Sequence, residues 1–123
     1  MGSSAKKILI TEDDPAIMDA LTLILTNNKM TVSCYTNGAA LLENRFEIPD
    51  LFLIDKQLSG VDGLDICRHL KSQDITRNIP VIVISASPHV QRVSLEAGAD
   101  AFLEKPFSNK NLLLMVSKHL GAK

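Results

Sequence analysis

Short apolar runs alternate with longer helix-like segments along this chain. Five short runs rich in apolar side chains predict strands, and the first of them is expected to be buried on both faces. They cover residues 7–11, 30–35, 51–54, 81–84 and 101–103. Each run is followed by a segment with helical features. Five strands that each lead into a helix predict a doubly wound parallel α/β sheet with helices on both faces.

The helix after the first strand has clear signals at both ends. Asp14 is a typical N-cap, and Pro15 stands at the first helical position, where its missing N–H removes no hydrogen bond. Asn27 and Asn28 mark the end. The apolar residues between them recur at helical spacing; they are Ile17, Ala20, Leu21, Ile24 and Leu25. Further helices are predicted over 37–44, 64–71 and 88–98 and after the N-cap Ser108.

Length and composition limit what kind of protein this is. A chain of 123 residues with 46% hydrophobic and 22% charged residues is typical of one globular domain. The formal net charge of -1 provides no basic field, so we expect no direct binding of nucleic acid by this domain. No apolar run has transmembrane length and the N-terminus does not resemble a signal peptide, so we expect a cytoplasmic protein without membrane contact. We expect residues 1–5 to be a disordered or artificial N-terminus and residues 6–121 to form the domain.

The two cysteines, Cys34 and Cys67, lack the C-x-x-C spacing of redox and zinc sites. Cys34 falls in a strand-like run, and Cys67 lies on the apolar side of a predicted helix. We expect both to be small buried hydrophobic residues in a reducing compartment.

Polar side chains follow four of the five predicted strands. Glu12 and Asp13 come after the first strand, Asp55 after the third, Ser85 after the fourth and Lys105 after the fifth. In open parallel sheets, ligands bind just beyond the carboxyl ends of the strands. These side chains are therefore expected to converge on one edge of the sheet.

The chemistry of this set indicates a hard cation and a phosphoryl group. Carboxylates without histidine or cysteine favour Mg²⁺. Lys105 is suited to pair with a phosphate, and an aspartate such as Asp55 can form an acyl phosphate. Taken alone, the acidic residues could cap a helix, Lys105 could be a solvated surface residue and Ser85 an ordinary strand end. Their convergence on successive strand ends favours the phosphoryl-transfer interpretation.

Four segments of the chain carry recognisable motifs. They are residues 8–15 (ILITEDDP), 53–63 (LIDKQLSGVDG), 81–86 (VIVISA) and 98–107 (GADAFLEKPF). In this order they resemble the response-regulator receiver domains of two-component systems, of the chemotaxis-receiver type. The resemblance covers essentially the whole chain and implies a flavodoxin-like fold with strand order 2-1-3-4-5.

The resemblance also implies a role for each site residue. Asp13 and Asp55 would bind Mg²⁺ directly, Glu12 through water and Gln57 through its backbone carbonyl. Asp55 would be the phosphorylation site and would accept the phosphoryl group from a histidine kinase or histidine phosphotransfer protein. The domain would then be a phosphoacceptor signalling module and not an enzyme acting on other substrates.

The switch residues follow from the same resemblance. Ser85 would hydrogen-bond the phosphoryl group, Lys105 would pair with it, and Phe102 would repack in response, although Phe102 could also be an ordinary half-buried core residue. Ala86 would leave the phosphoryl group accessible. The change would be transmitted through the face formed by the fourth helix, the fifth strand and the fifth helix.

The sequence gives less information about partners other than the kinase. One large DNA-binding subfamily forms a symmetric dimer through Asp, Glu and Arg at positions where this chain has Ala101, Asn111 and Met115. We therefore expect a monomer or a weak phosphorylation-dependent dimer. The output domain or output protein is unknown, and the chain could be a stand-alone regulator or a piece of a larger one.

Two other functions are compatible with parts of the pattern. A magnesium phosphohydrolase of the haloacid-dehalogenase type also uses an aspartyl phosphate, but it needs a second aspartate at the position of Gln57. A phosphorylation-independent interaction module could share the fold. The complete acidic set with Lys105 argues against that second alternative.

Overall fold

The computed structural model describes residues 5–58 and 60–121 and contains one parallel sheet flanked by helices. The strands are Lys7–Thr11 (β1), Thr31–Tyr35 (β2), Leu51–Asp55 (β3), Gln57–Leu58 (β4), Val61–Asp62 (β5), Val81–Ser85 (β6) and Ala101–Glu104 (β7). The helices are Pro15–Asn27 (α1), Ala39–Leu42 (α2), Gly63–Lys71 (α3), Val90–Glu96 (α4) and Asn109–His119 (α5). Four of the five residues expected to form a disordered or artificial N-terminus, 1–4, lie outside the described part of the chain.

The sheet has the order β2-β1-β3-β6-β7, and every neighbouring pair is parallel. Counted without the short antiparallel ribbon β4–β5, this is the order 2-1-3-4-5, so the predicted fold is confirmed. The carboxyl ends of β1, β3, β6 and β7 consequently lie at the same edge of the sheet. Among the described residues, no helix is both long enough and apolar enough to cross a membrane.

Each face of the sheet is covered by its own hydrophobic cluster, because side chains alternate between the two faces of a strand. On one face, α1 and α5 pack on β1, β3 and β6 through residues such as Ile10, Leu21, Leu53 and Val116. On the other face, α3 contributes Ile66 and Leu70 to a cluster that includes Phe52 and Val83. The two clusters hold the sheet rigidly, so side chains at the carboxyl edge project from a fixed frame.

The apolar stripe of α1 lies slightly to one side of the predicted one. Met18, Leu21 and Leu25 are buried, whereas the predicted Ala20 is exposed. Met18 fills space against the sheet because its unbranched side chain adapts to an irregular gap. Asp14 caps the helix, as predicted: its Oδ1 accepts hydrogen bonds from Ala16 N at 2.9 Å and Ile17 N at 3.4 Å.

Two predicted helices are shorter than expected. The segment 37–44 is helical only at Ala39–Leu42. The segment 88–98 is helical only at Val90–Glu96, because a turn precedes it in which Val90 N donates to Ser87 O. The ribbon β4–β5 was not predicted, since two residues per strand are too few to show an alternating pattern.

The prediction that both cysteines are buried is wrong for Cys34. Cys67 is fully buried in α3, but Cys34 lies on β2 and is exposed. β2 is at the edge of the sheet, where only one neighbouring strand covers it. Thr22 of α1 is within 3.5 Å of the Cys34 sulfur, but it leaves the thiol accessible.

Candidate functional site

The sheet brings the predicted polar residues into one cleft at its carboxyl edge. The cleft has a volume of about 400 Å³. Among its lining residues are all five that the strand ends were predicted to deliver: Glu12, Asp13, Asp55, Ser85 and Lys105. Gln57 also lines it. Two further lining residues, Ile17 in the first turn of α1 and Leu58 of the ribbon, were not predicted.

The carboxylates differ in how firmly they are enclosed. Glu12 is 1% exposed and Asp55 is 5% exposed, whereas Asp13 is exposed to solvent. One oxygen from each of these three side chains lies within 4.8 Å of the others. The carboxyl groups of Glu12 and Asp55 thus lie inside the protein. Asp13 faces the solvent, from which a ligand would enter.

Asp55 is fixed at the end of β3 by its surroundings. Its Oδ1 accepts a hydrogen bond from Gln57 N at 3.3 Å. The chain just beyond it is held by two backbone bonds, from Lys56 N to Ile84 O at 2.9 Å and from Gly63 N to Lys56 O at 2.8 Å. The carboxylate therefore has a defined position relative to β6 and the start of α3.

Lys105 contacts both buried carboxylates. Its Nζ is 3.2 Å from Glu12 Oε1 and 3.4 Å from Asp55 Oδ2. The residue is placed by its backbone, because Lys105 N donates to Ser85 O at 2.9 Å. Glu12 gains a second partner in Asp14 N, which donates to its Oε2 at 3.2 Å. One ammonium group is therefore shared between two acids.

The cluster is more negative than Lys105 can offset. Three carboxylates and one ammonium group carry a formal charge of -2 when all are ionised. Burial raises the pKa of Glu12, and the negative charge of Asp55 raises it further, while the backbone hydrogen bond from Asp14 and the charge of Lys105 act in the opposite direction. The charged form of Glu12 is thus less favoured here than it is for a glutamate in water.

The donor set fits a divalent hard cation. All three clustered side chains offer carboxylate oxygens, and the described residues place no histidine or cysteine among them. Mg²⁺ prefers oxygen ligands and commonly takes one or two carboxylates with several waters. The exposed Asp13 and the open cleft leave room for such waters.

Ser85 ends β6 with its hydroxyl group available to the cleft. The residue is 5% exposed, and its Oγ accepts a hydrogen bond from Ser87 N at 3.1 Å. A serine hydroxyl that accepts a bond keeps its own hydrogen for another acceptor. Ser85 can therefore donate to an anion in the cleft, next to the ammonium group of Lys105.

Phe102 is not brought to the cleft with the other predicted residues. It lies on β7 opposite Val83 and packs, half-buried, against the hydrophobic cluster of α3. It also lines a surface groove between α4 and α5 together with Leu95, Leu114 and Met115. Phe102 is connected to the cleft along β7, which leads to Lys105, and across the sheet through β6, which ends at Ser85.

The fold and cleft define a doubly wound α/β domain with a cluster of three carboxyl groups at its carboxyl edge. Residues 8–117 match the family model described as "Response regulator receiver domain". The chain belongs to this family.

Several relatives and solved structures agree with this assignment. The DNA-binding response regulator MtrA of Mycolicibacterium smegmatis is 32% identical over 98% of this chain and 53% of its own length. The transcriptional regulatory protein SphR of Synechococcus elongatus is 37% identical over 90% of this chain and 47% of its own length. The chain thus spans about half the length of these curated relatives.

Two solved structures are receiver domains of histidine kinases. The signal receiver domain from Syntrophus aciditrophicus has a TM-score of 0.86 and 36% identity, and the match covers 97% of this chain and 93% of that one. The receiver domain of sensor histidine kinase PA1611 from Pseudomonas aeruginosa has a TM-score of 0.87 and 25% identity, with 96% and 99% covered. That structure holds a magnesium ion coordinated in its active site cleft.

Proposed function

We propose that Asp55 accepts a phosphoryl group from a phosphohistidine of a histidine kinase or histidine phosphotransfer protein, in a reaction that depends on Mg²⁺. The observation that carries this proposal is the setting of Asp55. Its buried carboxylate lines an open cleft, and Lys105 Nζ lies 3.4 Å from its Oδ2. A fixed carboxylate beside a positive charge is suited to attack a phosphorus atom in line with its leaving group.

Four residues would hold the metal ion. Asp13 and Asp55 would bind it directly, Glu12 through water and Gln57 through its backbone carbonyl. When bound, Mg²⁺ offsets the charge of the carboxylates and of the phosphoryl oxygens. The clustering of the three carboxylates within 4.8 Å of one another supports the assignment, as does the magnesium ion in the similar receiver domain from Pseudomonas aeruginosa.

The transfer needs little covalent chemistry from the protein. An oxygen of Asp55 forms a bond to phosphorus while the P–N bond of the phosphohistidine breaks, and the imidazole nitrogen keeps the electron pair. The ammonium group of Lys105 and the hydroxyl group of Ser85 donate hydrogen bonds to the phosphoryl oxygens, where negative charge accumulates. Ala86, exposed at the rim of the cleft, leaves the acceptor accessible to the donor protein.

Phosphorylation then changes a surface. Ser85 moves toward the phosphoryl group, Phe102 repacks, and the face formed by α4, β7 and α5 shifts between two states. The domain, residues 6–121, acts as a cytoplasmic signalling module and hydrolyses no other phosphoester. It is a monomer or a weak phosphorylation-dependent dimer, contacts no membrane or nucleic acid itself, and passes the signal to an output that the chain does not identify.

Mass spectrometry after incubation with acetyl phosphate and Mg²⁺ tests the proposal. The native protein should gain one phosphoryl group, and the gain should disappear with EDTA and in Asp55→Asn. Asp65→Asn is a matched control, because Asp65 lies on the exposed side of α3 and pairs with Arg68 at 2.8 Å. No gain in the native protein, or an equal gain in Asp55→Asn, would contradict the proposal.

A further inference from the structure

We infer that Ser87 and His89 form a positioning pair that orients the hydroxyl group of Ser85 toward the phosphoryl group. The inference rests on the function proposed above and assigns a role to two residues outside the acidic cluster. Neither residue lines the cleft, whereas Ser85 does. Both lie in the short connection between β6, which ends at Ser85, and α4, which begins at Val90.

Ser87 is the centre of a small hydrogen-bond network. Its backbone N–H donates to Ser85 Oγ at 3.1 Å. Its carbonyl oxygen accepts from Val90 N at 3.0 Å. Its hydroxyl group pairs with His89 Nε2 at 2.9 Å. Since one residue contacts the Ser85 hydroxyl, the start of α4 and the imidazole ring, a displacement of Ser87 displaces the Ser85 hydroxyl too.

The network leaves the functional atom of Ser85 free. A hydroxyl group has one hydrogen to donate and two lone pairs to accept with. The bond from Ser87 N occupies a lone pair and fixes the direction of Oγ, so the hydroxyl hydrogen remains for a phosphoryl oxygen. His89 is exposed and acts only through Ser87, which makes it a positioning residue and not a catalytic one.

The expected effect is modest and specific. The Ser87–His89 bond is exposed to solvent, and exposed neutral hydrogen bonds contribute at the low end of the usual range. In His89→Ala, the affinity for beryllofluoride in the presence of Mg²⁺ should fall by about two- to fivefold. The affinity for Mg²⁺ alone should not change, because Glu12, Asp13 and Asp55 are held by β1 and β3.

Isothermal titration of beryllofluoride and of Mg²⁺ into each variant tests the inference. His89→Gln should restore native affinity, since its amide can also hydrogen-bond the Ser87 hydroxyl. In a double-mutant cycle, His89→Ala should have no further effect once Ser87→Ala has removed that hydroxyl. Gln91→Ala, at an exposed position in the first turn of α4, is the matched control and should bind as the native protein does.

The outcomes separate this inference from the proposed function. Native protein that binds no beryllofluoride overturns both. Native binding with unchanged affinity in His89→Ala overturns the positioning role alone. The same conclusion follows if His89→Gln fails to restore affinity, if the two alanine substitutions are additive, or if Mg²⁺ affinity falls in parallel.

Discussion

Gly63 is expected to be essential for the position of Asp55, although it carries no functional group. It is the first residue of α3, and its N–H donates to Lys56 O at 2.8 Å. A Cβ atom at this position would clash with the Asp55 carbonyl oxygen and lie only 2.8 Å from Lys56 Cα. Gly63→Ala therefore forces the start of α3 away from the residue that carries the proposed acceptor.

The size of the effect follows from this geometry. Ordinary contacts of a Cβ atom begin at 3.4 Å, so the contact with Lys56 Cα alone requires a shift of about 0.6 Å (3.4 minus 2.8). Overpacking of this kind costs about 1–3 kcal/mol, while alanine in a helix gains about 0.5–1 kcal/mol over glycine. We expect a net loss of about 1–2 kcal/mol in the free energy of unfolding. Misplacement of a reacting group by about 1 Å can lower a rate about 100-fold, so phosphorylation of Gly63→Ala should slow at least tenfold.

Two measurements on the same variants separate the two effects. Urea unfolding followed by far-ultraviolet circular dichroism gives the stability, because the chain has no tryptophan. Mass spectrometry with acetyl phosphate and Mg²⁺ gives the rate. Gly121→Ala is the control: Gly121 has φ +68°, and no atom of the described residues lies within 4 Å of its would-be Cβ. Alanine should therefore lose about 1 kcal/mol through backbone strain and keep the native rate. A Gly63→Ala variant that phosphorylates as fast as Gly121→Ala would refute the reasoning.

Three further predictions concern buried polar groups. Burial and then the charge of Asp55 raise the pKa of Glu12, so in EDTA the stability that protonated Glu12 provides should be complete below its ordinary pKa of 4.5 and be lost as the pH rises through the raised pKa. Glu12→Gln should flatten this decline of the free energy of unfolding with pH in urea titrations, and an unchanged slope would contradict the assignment. Thr11→Val should increase the free energy of unfolding by about 1–2 kcal/mol, because the buried Thr11 hydroxyl has no hydrogen-bond partner among the described residues. A decrease in the free energy of unfolding measured with urea would mean that the hydroxyl is paired in solution. Burial raises the pKa of Cys67 to about 11, so iodoacetamide at pH 8 should label Cys34 and leave Cys67 unmodified until denaturant is added. Peptide mapping identifies the labelled cysteine, and labelling of both in the native state would contradict the burial of Cys67.

The five strands of the parallel sheet could be predicted to within one residue, because each is a short apolar run bounded by polar or turn residues. β3 and β6 are buried at every position, so a continuous aliphatic run was a sufficient signal. Helix α1 was equally well bounded, because the Asp14 cap and the fixed φ of Pro15 are both local signals. The extent of α2 and α4 depends instead on neighbouring segments, and the two-residue strands β4 and β5 have no pattern of their own.

The location of the site could be predicted, but its internal arrangement could not. The carboxyl ends of the strands converge because of the sheet topology. The sequence alone therefore predicted that Glu12, Asp55 and Lys105 lie close together. Which carboxylates share Lys105 depends on side-chain distances, and the sequence contains no such information. Ile17 was predicted as part of a helical stripe, but its place in the cleft wall follows from the position of α1 above β1 and β3.

The cleft combines buried groups on a rigid frame with exposed groups that a ligand can reach. Glu12, Asp55 and Ser85 are each no more than 5% exposed, and they stand on or next to strands that two hydrophobic clusters hold in place. Asp13 is exposed on the connection after β1, and Gln57 is exposed in the short ribbon β4–β5, so both exchange easily with water. The buried negative charge lowers stability, as the raised pKa of Glu12 indicates, so a cation that enters from the exposed side should stabilise the fold and complete the site at once. Stability in Mg²⁺ should therefore depend on the same residues as the proposed reaction does.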